Sequence, residues 1–185
     1  PISILAGSSL LTTSPKQLLG KSKDFAYGSK TDENWPRQQG EPMPSIKELK
    51  ETLAYSCNIL AHEGHWDNIL GHVSVRIPGQ DRVLMKPHSF GFEEIRPQHI
   101  IVVDLSGKKV EGKYERHSEV FIHTEIYKAR SDVNCVVHSH PPYATAIASL
   151  ADPDIKPIDQ NTSRFFNRIA FDMDYGGMAN TDEEG

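Results

Sequence analysis

The stretch Val133-Asn-Cys-Val-Val-His-Ser-His-Pro-Pro-Tyr-Ala-Thr-Ala146 decides the reading of this chain. A short apolar run leads into two histidines one residue apart, and two prolines follow. Side chains alternate faces along a strand, so His138 and His140 point the same way. Pro142 suits the first turn of a helix, where its missing N–H has no intrahelical partner to lose. Two imidazoles on one face, at the end of a strand that feeds a helix, make half of a metal site. On spacing alone, the same pair also suits two polar residues that face solvent.

Working outward, the bulk numbers set bounds. A chain of 185 residues suggests one domain with a real core. Its 37% hydrophobic and 24% charged residues are those of a soluble globular protein. A net charge of −5 with interspersed signs gives no basic stripe, so nucleic acid is not expected as a partner. No apolar run reaches membrane-spanning length. Cys57 and Cys135 both sit in apolar stretches and read as reduced core residues, which leaves the compartment open. The cytoplasm is the first expectation. Export to the periplasm follows if the small, apolar Pro1 to Leu11 is the end of a signal sequence.

Residues 1–43 lack periodicity and read as an irregular N-terminal extension, and 44–185 read as the ordered domain. Ser45-Ile-Lys-Glu48 is a capping box that opens an amphipathic helix to about Glu63. His72 to Ile77 and Arg82 to Lys86 alternate around the turn Pro78-Gly79-Gln80-Asp81 and predict a hairpin. Ile100 to Leu105 is a buried strand that turns at Ser106-Gly107 into Lys109 to Glu111. A helix is predicted over Ser118 to Ala129, with Ser118 as N-cap. Pro142 to Leu150 is predicted helical, and Arg168 to Met173 a last short strand. This order implies an α/β sandwich around one sheet with antiparallel pairs.

A histidine pair needs a third ligand or a base. Glu119 and His123 lie four apart on one helix face, and a short turn connects that helix to the strand of His138. A carboxylate beside a divalent metal can ligate it or exchange protons with a substrate that the metal polarises. Glu119 also suits a helix N-terminus by charge alone. His123 reads as a histidine packed under the sheet.

Ser118-Glu119 followed by His138-Ser-His140 resembles the class II aldolase/adducin family. So do Gly71-His-Val-Ser-Val-Arg76, Ile101-Val-Val-Asp-Leu-Ser-Gly107, Val110-Glu-Gly112, Ile126-Tyr-Lys-Ala-Arg130, Asp132 to His140 and Tyr143-Ala-Thr-Ala146. The resemblance implies a three-layer α/β/α sandwich with a mainly antiparallel or mixed sheet, often a tetramer, on the branch of decarboxylases and aldolase-like proteins. It also implies zinc, or manganese or iron, held by histidines, with a glutamate as acid/base. Carried over by motif, His138 and His140 are metal ligands and Glu119 is the acid/base. The family's third histidine comes later, in a Leu-x-x-His-Gly stretch, and no histidine follows His140 here. A fragment of a longer chain, an incomplete site or a substitute ligand each fits that. With Glu119 as a ligand, two histidines and a carboxylate still form a facial set.

The sugar-phosphate aldolases of this family read Gly-Asn-x-Ser where this chain has Gly71-His72-Val73-Ser74. They read Thr-Pro-Ser-Gly against Lys86-Pro87-His88-Ser89, and Ser-Ser-Glu against His117-Ser118-Glu119. Three histidines in place of a phosphate cradle point to a non-phosphorylated hydroxy- or keto-acid, held by His72, His88, Ser89, His117 and Ser118. The resulting expectation is a metal-dependent carbon–carbon lyase, an aldolase or a decarboxylase. An adducin-like member without chemistry and an Fe(II)-dependent oxygenase on the same scaffold are the alternatives.

Overall fold

A computed structural model describes residues 43–170 and 177–183, and the backbone of Ile2–Leu5. Its elements are β1 (Ile2–Leu5), α1 (Ile46–His62), β2 (His72–Arg76), β3 (Arg82–Met85), β4 (Ile101–Asp104), β5 (Lys109–Glu111), α2 (Val120–Ala129), β6 (Cys135–Ser139), α3 (Pro142–Ala148) and α4 (Gln160–Ser163). Two single-turn 3₁₀ helices, Phe92–Glu94 and Pro97–His99, lie between β3 and β4. The strands form one sheet in the order β1-β6-β2-β3-β4-β5, and all of its pairs are antiparallel.

Strand parity sorts the core. Val83 and Met85 of β3, Ile101 and Val103 of β4 and Val136 of β6 pack with Val120 and Tyr127 of α2. The intervening Leu84 and Val102, with Val73 of β2, pack with Leu53, Ala54 and Cys57 of α1 and with Phe92, Ile95 and Ile100. Ser45 starts α1 as the sequence predicts: its hydroxyl accepts from Glu48 N–H, and the Glu48 carboxylate accepts from Ser45 N–H at 2.7 Å. Asn58 then ties α1 to the 3₁₀ turn by donating to the Phe92 and Ile95 carbonyls. Gly71 brings β2 hard against that turn; a Cβ there would meet the Phe92 ring at 2.5 Å. Cys57 and Cys135 are both free thiols.

Three expectations need correction. Ile2–Leu5 forms an edge strand whose register runs Ile2↔Ser139 to Leu5↔Val136, because the bare outer edge of β6 offers it a ladder. The rest of the proposed extension, 6–42, lies outside the described residues. Ser118 does not cap α2: Glu119 takes the N-cap position, no side chain caps the helix, and the Glu119 carboxylate turns toward the histidines instead. Arg168–Ala170 is irregular rather than a strand, and 171–173 lie outside the described residues. Helix α4, capped by Asp159, was not anticipated.

Candidate metal and acid–base site

Strand pairing builds the site. His72 opens β2 directly opposite His138 of β6 in the ladder, and the two rings stack with centroids 4.6 Å apart. Both belong to the sheet face that α2 covers, where β2 carries His72 and Ser74 in place of apolar side chains. Glu119 arrives from the start of α2. Its Oε2 lies 3.3 Å from His72 Nε2, 3.8 Å from His117 Nδ1 and 4.0 Å from His138 Nε2. Among the described residues, His72, Glu119 and His138 each offer one donor atom, all within 4.8 Å of one another. His140 completes the group, with Nε2 2.9 Å from His138 Nε2.

Burial decides the charge of these rings. It is the main force that holds the ring of His72 well below the ordinary imidazole range, and the neighbouring His138 adds to it. His138 is lowered to about 4 by burial and then by His140, against the opposing pull of Glu119. His117 also falls to about 4, mainly through burial. Neutral imidazoles keep a lone pair, which is the form that ligates a metal. The Glu119 carboxylate beside the His138 and His140 rings is a donor set that fits a divalent cation.

Supporting contacts orient the rings. Asp67 Oδ2 accepts from His140 Nδ1 at 2.9 Å, so His140 turns a bare Nε2 toward His138. His72 Nδ1 lies 2.5 Å from His123 Nε2, and His123 Nδ1 lies 2.6 Å from Ser74 Oγ. Lys86, buried at the end of β3 with its pKa lowered to about 8 by desolvation, donates to the Ile69 and Pro87 carbonyls. It ties down the loop that leads into His72.

The sequence-derived residues separate into two groups. His72, His117, Glu119, His138 and His140 converge, and the His88 ring stands 5.3 Å from that of His117. Ser89 is exposed at φ 69° and bonds His88, and Ser118 is also exposed. His117 is 2% exposed, and neither ring nitrogen has a hydrogen-bond partner. A buried imidazole left so is poised for a ligand group. Sequence reasoning missed Asp67, Lys86, Ser74 and Tyr127. Tyr127 follows His123 by four residues on α2, a spacing that could have revealed it.

The family model described as class II aldolase and adducin N-terminal domain matches residues 51–184. A 3,4-dihydroxyphthalate decarboxylase from Arthrobacter keyseri is 40% identical over 117 residues, covering 59% of this chain and 46% of its own. A 5-deoxy-D-ribulose 1-phosphate aldolase from Bacillus thuringiensis serovar kurstaki is 33% identical over 104 residues, covering 56% and 48%. An aldolase II superfamily protein from Pseudomonas syringae superposes with a TM-score of 0.70 at 28% identity, covering 78% of this chain and 58% of that one. The chain spans about half the length of the curated relatives it matches.

Proposed function

Because this chain belongs to the class II aldolase and adducin N-terminal domain family, we propose that it is a metal-dependent carbon–carbon lyase acting on a non-phosphorylated hydroxy- or keto-acid. The observation that carries this reading is the Glu119 carboxylate set among His72, His117 and His138, with His140 beside them. We assign His138 and His140 as metal ligands and Glu119 as the group that moves the proton. A divalent cation, zinc first, would supply Lewis-acid stabilisation of the negative charge that develops as the C–C bond breaks.

Glu119 suits its role by placement. Its side chain is partly exposed at the rim of a buried histidine cluster, so one end meets substrate while the other is held. His117, with both ring nitrogens unpartnered, and His88 beside it are assigned to hydroxyl or carboxylate oxygens of the substrate. Ser89 and Ser118 form the outer rim. The relative named as a decarboxylase of a dihydroxy aromatic acid supports loss of CO₂ over aldol cleavage. The absence of the small phosphate-cradling side chains supports a substrate without phosphate. The two core clusters on opposite strand parities support a three-layer α/β/α sandwich, and the family resemblance supports a homo-oligomer.

The test is to load the full chain with Zn²⁺, Mn²⁺ or Fe²⁺ and follow CO₂ or aldehyde release from a panel of hydroxy-, keto- and dihydroxy-aromatic acids. Glu119→Gln should lower turnover by roughly 10²–10⁴-fold while metal stays bound. Failure of the intact protein to bind a divalent metal would overturn the reading, and metal-bound protein that consumes O₂ instead would replace lyase by oxygenase.

A further inference from the structure

Glu119, His72, His123, Ser74 and Tyr127 form an unbroken polar chain running from the site into the layer between the sheet and α2. Glu119 Oε2 is 3.3 Å from His72 Nε2, His72 Nδ1 is 2.5 Å from His123 Nε2, and His123 Nδ1 is 2.6 Å from Ser74 Oγ. The Tyr127 hydroxyl closes the chain, 2.9 Å from Ser74 Oγ and 3.0 Å from the Ser74 carbonyl oxygen. His72, Ser74 and His123 are each 0% exposed and Tyr127 is 2% exposed, so water does not replace any of these bonds.

Each bond needs one donor and one acceptor, and each neutral imidazole carries a single N–H. Two arrangements satisfy the inner bonds. In the first, His72 carries its hydrogen on Nδ1 and donates to His123, His123 donates to Ser74, Ser74 to the Tyr127 oxygen, and Tyr127 to the Ser74 carbonyl. That leaves a bare His72 Nε2 lone pair against the Glu119 carboxylate, which is repulsive. In the second, Tyr127 donates to Ser74, the Ser74 hydroxyl to His123 Nδ1, His123 Nε2–H to His72 Nδ1, and His72 Nε2–H to Glu119. This arrangement gives up the neutral Tyr127 bond to the Ser74 carbonyl, but in return it makes the charge-assisted bond from His72 to Glu119, which is the stronger of the two. The Tyr127 end is anchored, because burial holds its hydroxyl in the neutral, proton-bearing form.

We propose that His123, held by Ser74 and Tyr127, is a positioning residue that fixes His72 as the Nε2–H tautomer and so clamps one oxygen of the Glu119 carboxylate. The other Glu119 oxygen is left for the substrate proton. Within the lyase reading this makes His72 the orienting partner of the base. The ring arrangement itself stands independently of that reading, and so does its test.

Long-range ¹H–¹⁵N spectra of the full chain, labelled at histidine and loaded with Zn²⁺, report which ring nitrogen bears hydrogen; His72→Asn assigns the signals. The expected result is Nε2–H on both His72 and His123. His123→Leu should scramble the His72 tautomer, and His123→Gln, whose amide N–H can still donate to His72 Nδ1, should preserve it. On any substrate that turns over, His123→Leu should lower kcat at least tenfold with little change in KM, and His123→Gln should stay within about threefold. Nδ1–H on His72 would leave its Nε2 bare against Glu119 and overturn the proposal, as would an unchanged His72 pattern in His123→Leu or equal kcat losses in both variants. If no acid in the panel turns over, the lyase reading fails while the tautomer result still decides this one.

Discussion

At the residue scale, the histidine cluster is oriented by side chains outside it. Asp67 takes the Nδ1 hydrogen of His140, which turns the Nε2 lone pair inward and raises its basicity. Asp67→Ala should therefore weaken divalent-metal affinity by about 10–100-fold, measured by competition with a chelator of known affinity. Affinity within twofold of the unmodified protein would show that His140 is oriented by packing alone. That His138 and His140 share a face was legible from their spacing, and the approach of Glu119 from its place at the start of the preceding helix. Asp67 was not, because nothing in Trp66-Asp67-Asn68 marks it. Only the fold brings it to a histidine 73 positions away. His123 was legible as a buried histidine but not as a partner of His72, since the two rings meet across two elements.

At the element scale, β2 and α2 must keep a fixed separation for the Glu119–Tyr127 chain to close. Arg76 sets it. From the end of β2, its guanidinium donates to the Tyr127, Arg130 and Val133 carbonyls and lies over the Tyr127 ring. These bonds satisfy carbonyls at and just past the C-terminus of α2, where a cation is also favoured by the helix dipole. Arg76→Leu should cost about 2–3 kcal/mol of stability, read from the midpoint of urea unfolding. A shift under about 0.5 kcal/mol would contradict the assignment. Helix α2 itself was legible from its apolar spacing. Its start was misplaced, because a hydroxyl before an acid looks like a cap until the acid finds histidines across the sheet. Gly112 is another element-scale constraint that the sequence does not display: at φ 108° it passes so close to Ile101 that a Cβ would lie 2.7 Å from that side chain.

At the scale of the whole molecule, several neutral imidazoles under one roof tie folding to pH. Burial lowers His117 and His138 to about 4 in the folded protein and holds His72 and His123 well below their ordinary value, whereas an unfolded chain takes up the proton near 6.5. Between those values the unfolded state binds more protons, so stability rises with pH. The metal-free protein should be at full stability above about pH 7 and lose it steadily as pH falls from 6.5 toward 4, by at most about 1.4 kcal/mol per pH unit for each histidine involved. Thermal melts across that range check this, and a flat profile would mean that the rings protonate in place. Local periodicity and turn chemistry determined that helices flank one antiparallel sheet, because each segment's apolar face requires a partner wherever it lies. The motif order likewise determined the family and the Glu119–His138–His140 grouping. What only the tertiary structure decided is which polar residues meet. Strand register sets His72 opposite His138, and the seating of α2 on the sheet closes His72, His123, Ser74 and Tyr127 into one chain. The strand pair joins His72 and His138 and the polar chain joins residues 49 to 53 positions apart, and no local pattern encodes distances of that kind.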